Sequence, residues 1–157
     1  MKIVLLLCLV GLPADCFKIP TGCVKIWSVH QSKYLTSSKL LDSKRRHVTH
    51  SNHPETWIVK RLGQRFTIMH ESHEEYLIVA EDTFMNGNHK VYTWIPQQIL
   101  PSAFWEVRHK RGQIVSIVDT SYSQCLSTEW AHGEKRVHDF KNSFFSVHLV
   151  GFRREIS

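Results

Sequence analysis

Apolar side chains recur along this chain in short stretches of period two, and the stretches themselves recur. Three times an apolar pair stands eight residues after an isoleucine: Ile26 before Tyr34-Leu35, Ile68 before Tyr76-Leu77, and Ile117 before Cys125-Leu126. Each pair is followed by a strand-like piece in which a basic residue leads to a valine, "RHV" to Val48, "KV" to Val91 and "RV" to Val137. An aromatic-x-Val step comes next, at Trp57-Ile58-Val59, Trp105-Glu106-Val107 and Phe145-Ser146-Val147, and a glycine closes each copy, at Gly63, Gly112 and Gly151. Period-two alternation with no sustained helical period predicts four short strands per copy. Three such copies, spanning about 17–63, 64–112 and 113–157, predict an all-β chain with pseudo-threefold symmetry, a β-trefoil. In that architecture the first and fourth strands of each unit close a barrel and the second and third form capping hairpins, so no sheet edge is left open. The extra residues "IPQQILPS" in the second unit read as a loop insertion between its third and fourth strands. Trp57, Trp105 and Phe145, with Ile26, Ile68, Ile117, Leu35, Leu77 and Leu126, occupy matched positions and are expected to form the core.

The beginning of the chain changes the compartment. Lys2 precedes an apolar run from Ile3 to Val10, too short to span a bilayer and shaped like a signal peptide. Cleavage after Cys16 puts Ala14 and Cys16 at the two small-residue positions before the cut, a better fit than cleavage after Ala14. Removing 16 of the 157 residues leaves 141, a length that suits one domain with a substantial core. Residues 1–16 are read as a signal peptide, residues 17–157 as a single domain, and the product as secreted and extracellular. Of the four cysteines, Cys23 and Cys125 remain, and an oxidising compartment favours pairing them in one disulfide. The alternative is two free thiols.

Charge adds a second theme. Lys2 and Asp15 leave with the leader, so the formal balance stays at +6. A basic secreted protein meets anionic glycans and cell surfaces before nucleic acid. Lys60, Arg61 and Arg65 surround Gly63, Arg108, Lys110 and Arg111 precede Gly112, and Arg153 and Arg154 follow Gly151. A trefoil gathers these loops at one barrel end, where Arg forks suit sulfate oxyanions. Lys44, Arg45 and Arg46 form a separate run in the cap.

Residues 76 to 105 are where the chain resembles a known family. In ricin-B-type lectins a unit runs from a Cys-Leu-like pair through an F-x-N-G-N-like turn to an apolar-x-x-Trp strand and a Gln-x-Trp. Here the order is Tyr76-Leu77, Phe84-x-Asn86-Gly87-Asn88, Val91-Tyr92-Thr93-Trp94, then Trp105. The third unit follows more loosely, through Cys125-Leu126, Val137-His138-Asp139-Phe140 and Phe145. The resemblance implies that Trp94 stacks on a sugar ring, with Glu81, Asp82, Asn86, Asn88 and Gln97 around it for the hydroxyls. Phe140 with Glu129, His138 and Asn142, and Trp130 in the same unit, are the further sugar-binding candidates. The family's Asp position is Thr36, Ile78 or Ser127 here, and its Gln is Glu55, Ala103 or Ser143, so no unit keeps the full galactose constellation. Unit one has Ser51 at the stacking position. Size, cysteine economy, tryptophan content and leader also make the chain similar to the cysteine- and tryptophan-rich trefoils secreted in mosquito saliva. That resemblance implies binding of host glycans at a feeding site.

Other chemistries are weaker. His47, His50 and His53 cannot converge from one strand, where residues three apart face opposite sides, and His70 with His73 lacks partners for a tetrahedral set. No metal, no cofactor and no enzymatic activity are expected, since no nucleophile elbow, phosphate-cradling loop or zincin motif occurs. The expected partners are glycans or glycoproteins, bound by a monomer without a membrane span and without nucleic acid. Sulfated glycosaminoglycans held by the barrel-end cations are the alternative, and protease inhibition by an exposed loop such as residues 94 to 101 is a third class.

Overall fold

The structure, a computed structural model, describes residues 19–84, 86–111, 114–131, 134–140 and 147–151. The expected leader and the candidates Asn142, Arg153 and Arg154 lie outside these residues. Among the described residues, twelve strands are joined in one sheet. The first unit contains β1 (Gly22–Ser28), β2 (Lys33–Leu40), β3 (Arg45–Ser51) and β4 (Trp57–Leu62). The second contains β5 (Arg65–His70), β6 (Glu75–Thr83), β7 (His89–Trp94) and β8 (Trp105–Arg111), and the third β9 (Ile114–Asp119), β10 (Cys125–Ala131), β11 (Glu134–Phe140) and β12 (Val147–Gly151). Antiparallel pairings run β1–β4, β4–β5, β5–β8, β8–β9, β9–β12 and back to β1, which closes a six-stranded barrel from the first and fourth strands of each unit. The hairpins β2–β3, β6–β7 and β10–β11 cap it, and β7 lies between β3 and β11. This is the β-trefoil that the repeat predicts.

Matched positions do matched work. Ile26, Ile68 and Ile117, with Leu35, Leu77 and Leu126 and with Val48, Val91 and Val137, are buried in one core with Trp57 and Trp105. The indole Nε1 of Trp57 donates to the backbone oxygen of Leu35 at 3.0 Å, and that of Trp105 donates to Leu77 at 3.0 Å. A large apolar side chain can be buried this way because its one polar atom finds a partner. Phe145 lies outside the described residues.

The first turn of each unit is also built alike. Buried Ser28, His70 and Asp119 end the first strands, and each accepts a hydrogen bond from the backbone N–H three residues on, of Gln31, His73 and Tyr122. Each turn then leaves through a residue in the left-handed region, Ser32 at φ 50°, Glu74 at 55° and Ser123 at 57°. Local acceptors of this kind offset the cost of a left-handed non-glycine residue.

The insertion in unit two occupies the connection from β7 to β8 and includes a short 3₁₀ turn, Pro101–Ala103. Ala103 is fully buried and joins Ile78, Ala80 and Tyr92 in a small second core, against which Tyr76 and Trp94 pack.

The expected disulfide is corrected by the structure: Cys23 and Cys125 are both free. Their strands do not adjoin. Cys23 stands opposite Ile58 on β4, with its Sγ 3.7 Å from Glu71 Oε1, whereas Cys125 stands opposite Val118 on β9 and Phe140 on β11. Burial pushes the Cys125 thiol above its ordinary pKa, and nearby Lys110 and Arg108 only partly offset this. No helix among the described residues is long and apolar enough to cross a membrane.

Candidate functional site

An open groove of about 880 Å³ lies in the cap between units. One wall is the loop Asp42, Ser43, Lys44 and Arg45 from the β2–β3 hairpin. The other is β6 from Ile78 to Asp82, with Tyr122 of the β9–β10 turn beside it, and the remaining wall is Trp94 with Leu100, Pro101 and Ser102 of the inserted loop. Three units thus contribute. The β3–β7 pairing is what brings the walls together, because it sets Arg45 opposite Trp94. Trp94 in turn faces Tyr76 of β6 on its other side.

Trp94 is half-buried. It rests on the small second core and also lines the groove, so it is both packed and presented. Its Nε1 is shielded from solvent and has no partner among the described residues. An indole so placed offers carbon surface, which is what the C–H face of a pyranose meets.

The charged groups divide into held and available. Asp82 takes Arg45 at 3.5 Å, Lys90 at 3.1 Å and the Tyr92 hydroxyl at 3.1 Å, so it is a structural node. Asp42 accepts from the backbone N–H groups of Lys44 and Arg45 and pairs with the Arg45 guanidinium at 2.8 Å. The Lys44 amide and the Arg45 side chain hold its carboxyl below the usual carboxylate range. Arg45 also lies 5.2 Å from the centre of the Tyr92 ring. By contrast the exposed side chains of Glu81 and Lys44, on opposite walls, form no ion pair among the described residues.

Tyr122 completes the site. Its ring stacks on His89 at 3.5 Å, and His89 Nδ1 donates to the Ala80 carbonyl oxygen at 2.8 Å, so the phenol is braced against β6 through an imidazole. Burial, then the nearby carboxylates of Glu81 and Asp119, push this phenol above its ordinary pKa. Glu81 is thus close enough to Tyr122 to act on its phenol.

Of the expected sugar ligands, Trp94, Glu81 and Asp82 line this groove. Asn86, Asn88 and Gln97 do not. Asn86 Oδ1 accepts from the Asn88 amide at 3.2 Å, Asn88 is 5% exposed, and Gly87 takes φ 79°, so these residues build the turn between β6 and β7. Gln97 is exposed and donates to Glu74 at 3.1 Å. Trp130 and Phe140 lie on β10 and β11, and their side chains lie outside the described set. The residues missed by sequence reasoning are Asp42, Ser43 and Tyr122 together with the groove role of Lys44 and Arg45.

The barrel-end cations are exposed. Lys60, Arg61 and Arg65 flank the β4–β5 turn, and Arg108, Lys110 and Arg111 end β8. The pairing of Phe66 with Trp105 places both hairpin tips at the same barrel end. Arg108 is paired with Glu106 at 2.6 Å, and Arg61 and Arg65 each lie 5.9 Å from an aromatic ring centre, of Phe66 and Phe104. His70 and His73 stack at 4.6 Å, but His70 is occupied by Glu55 and the His73 amide. Among the described residues no group of three or more His, Cys, Asp or Glu side chains is placed to hold a metal.

No protein-family model and no curated protein matches the chain. Solved structures do. A salivary protein of Culex quinquefasciatus from the cysteine- and tryptophan-rich family superposes with a TM-score of 0.76 at 25% identity, over 86% of this chain and 96% of that one. A second member from the same mosquito gives 0.75 at 20% identity, over 87% and 97%. A designed threefold-symmetric protein, ThreeFoil, gives 0.71 at 16% identity, over 83% and 99%. The resemblance to the salivary trefoils thus extends to the whole fold.

Proposed function

We propose that this chain is a secreted, non-enzymatic carbohydrate-binding protein whose site is the interunit groove beside Trp94. The observation that carries the reading is the half-exposed indole set between an available carboxylate, Glu81, and an available ammonium, Lys44. A pyranose places C–H carbons on an aromatic face and needs donors and acceptors for its hydroxyls. Glu81 accepts, Lys44 donates, and the Tyr122 hydroxyl does both. Affinity is expected to be weak, because an open groove makes few contacts and each hydroxyl is desolvated on binding. Likeness to salivary proteins supports secretion. The test is glycan-array and calorimetric binding with Glu81→Gln alongside the parent. Neutral galactosides should bind with little salt dependence and weaken about tenfold or more in the variant; no binding to any neutral glycan sinks the reading.

A second reading has its own observation, the six exposed cations on the two hairpins at one barrel end. These suit a sulfated glycosaminoglycan. Such binding should fall steeply with salt as counterions are released and should survive Glu81→Gln.

A further inference from the structure

The groove's unused groups do not all belong to a neutral sugar. Opposite walls carry one available charge of each sign among the described residues, Glu81 on β6 and Lys44 on the β2–β3 loop, while Asp42 and Asp82 are paired with Arg45 and Lys90. Two aromatic rings line the space between, each held from behind. Trp94 rests on the Ile78, Ala80, Tyr92 and Ala103 cluster, and Tyr122 rests on His89 at 3.5 Å. One carboxylate beside two aromatic surfaces is a cation site.

We propose that this groove also accepts a zwitterionic ligand of the phosphocholine class, with its quaternary ammonium against Trp94 and Tyr122 beside Glu81 and its phosphate towards Lys44. The hydrogen-bond inventory sets the type of cation. A primary ammonium carries three N–H donors and needs three acceptors. Glu81 is the one groove carboxylate still available among the described residues, since Asp42 and Asp82 are already filled. A quaternary ammonium has no N–H, so ring faces and a single carboxylate satisfy it. The phosphate then meets Lys44, which binds as a point charge.

The same headgroup occurs free and at a lipid surface, and the neighbouring hairpin tip bears on the difference. Leu40 and Leu41, immediately before the groove wall, are 57% and 41% exposed, and such side chains enter the interface of a bilayer when a headgroup is held beside them. The proposal concerns the headgroup, whichever its source.

Calorimetric titration of the mature chain with phosphocholine, phosphoethanolamine and choline tests it. Phosphocholine should bind at least about fivefold more tightly than phosphoethanolamine. Glu81→Gln and Tyr122→Leu should each weaken it about fivefold to tenfold, and Lys44→Ala should weaken phosphocholine while leaving choline unchanged. Tyr122 and Lys44 are exposed, so these variants fold even if Trp94→Ala does not. Equal binding of the two phosphates, or indifference to Glu81→Gln, overturns the proposal. Cosedimentation with phosphatidylcholine vesicles identifies the source: Leu40→Asp with Leu41→Asp abolishes vesicle binding but spares free phosphocholine if a lipid is the ligand, and vesicles fail to compete if it is not. The outcome is separable from the carbohydrate reading. Galactoside binding without phosphocholine binding overturns this inference alone, and the reverse result overturns the sugar reading alone.

Discussion

The indole N–H of Trp57 is bonded to the carbonyl oxygen of Leu35, 22 residues earlier, inside a core where both side chains are at most 1% exposed. The bond ties the fourth strand of a unit to its second, barrel to cap, and Trp105 repeats it to Leu77. It also explains why an aromatic with a donor stands at these positions. Replacing Trp57 or Trp105 with Phe removes this bond to a buried carbonyl and should cost about 0.5–1.5 kcal/mol; replacement with Ala adds a cavity and should cost about 3–5 kcal/mol. Urea unfolding of the four variants measures both steps, and a Phe variant as stable as the parent would show that the bond contributes nothing.

Threefold order made most of the fold legible beforehand. A core built on a pseudo-threefold axis must place like side chains at like positions, so Ile26, Ile68 and Ile117 repeat in sequence because they meet in space. The groove obeys no such rule. Arg45 and Trp94 are opposite one another in the β3–β7 pairing, yet they are far apart in the chain and belong to different units. No local signal links them, and nothing near Tyr122 marks its stack on His89. Asn86, Gly87 and Asn88 were legible as a turn near Trp94, but not that the turn keeps the Asn86 side-chain carbonyl for itself and buries Asn88. Cysteine parity misled for a similar reason: it counts thiols without saying which strands adjoin.

The turn makes a separable prediction. Gly87 sits at φ 79° with open space around it, so Gly87→Ala is strained by backbone conformation alone and should lower stability by about 1 kcal/mol. Groove binding should be unchanged at a temperature where both proteins are folded, because none of Asn86, Gly87 and Asn88 lines the groove. Loss of glycan binding in a folded Gly87→Ala variant would return those asparagines to the site.

Free thiols are checked by mass. Alkylating a chain of residues 17–157 without reduction should add two adducts, at Cys23 and Cys125. Because burial raises the Cys125 thiol, its modification should be slow at neutral pH and accelerate towards alkaline pH as the thiolate forms. An unreduced chain that takes no adduct, and two after reduction, would restore the bridge.

Acid should loosen the cap through Glu75. Its carboxyl is 4% exposed and is held by the Arg46 guanidinium at 3.0 Å and by the Thr93 hydroxyl, across β6, β3 and β7. Burial opposes its ionised form, but Arg46 and Thr93 outweigh it and keep the carboxyl below its ordinary pKa of 4.5. With the folded value below the unfolded one, the folded chain releases this proton more readily. The stabilisation is therefore complete above the unfolded pKa and is lost as pH falls through the folded one. Melting temperature should drop from about pH 5 downwards, and the drop should be smaller in Glu75→Gln, which has no proton to gain. At neutral pH that variant should itself be less stable, by up to about 3 kcal/mol, since Arg46 keeps its charge with its partner removed. Trp94 ends the strand that Thr93 belongs to, so glycan affinity should fall with the same pH midpoint as the melting temperature if the Glu75 network aligns the groove. Affinity that stays constant while the melting temperature drops would show that the groove's walls are held by Asp82 and Arg45 alone.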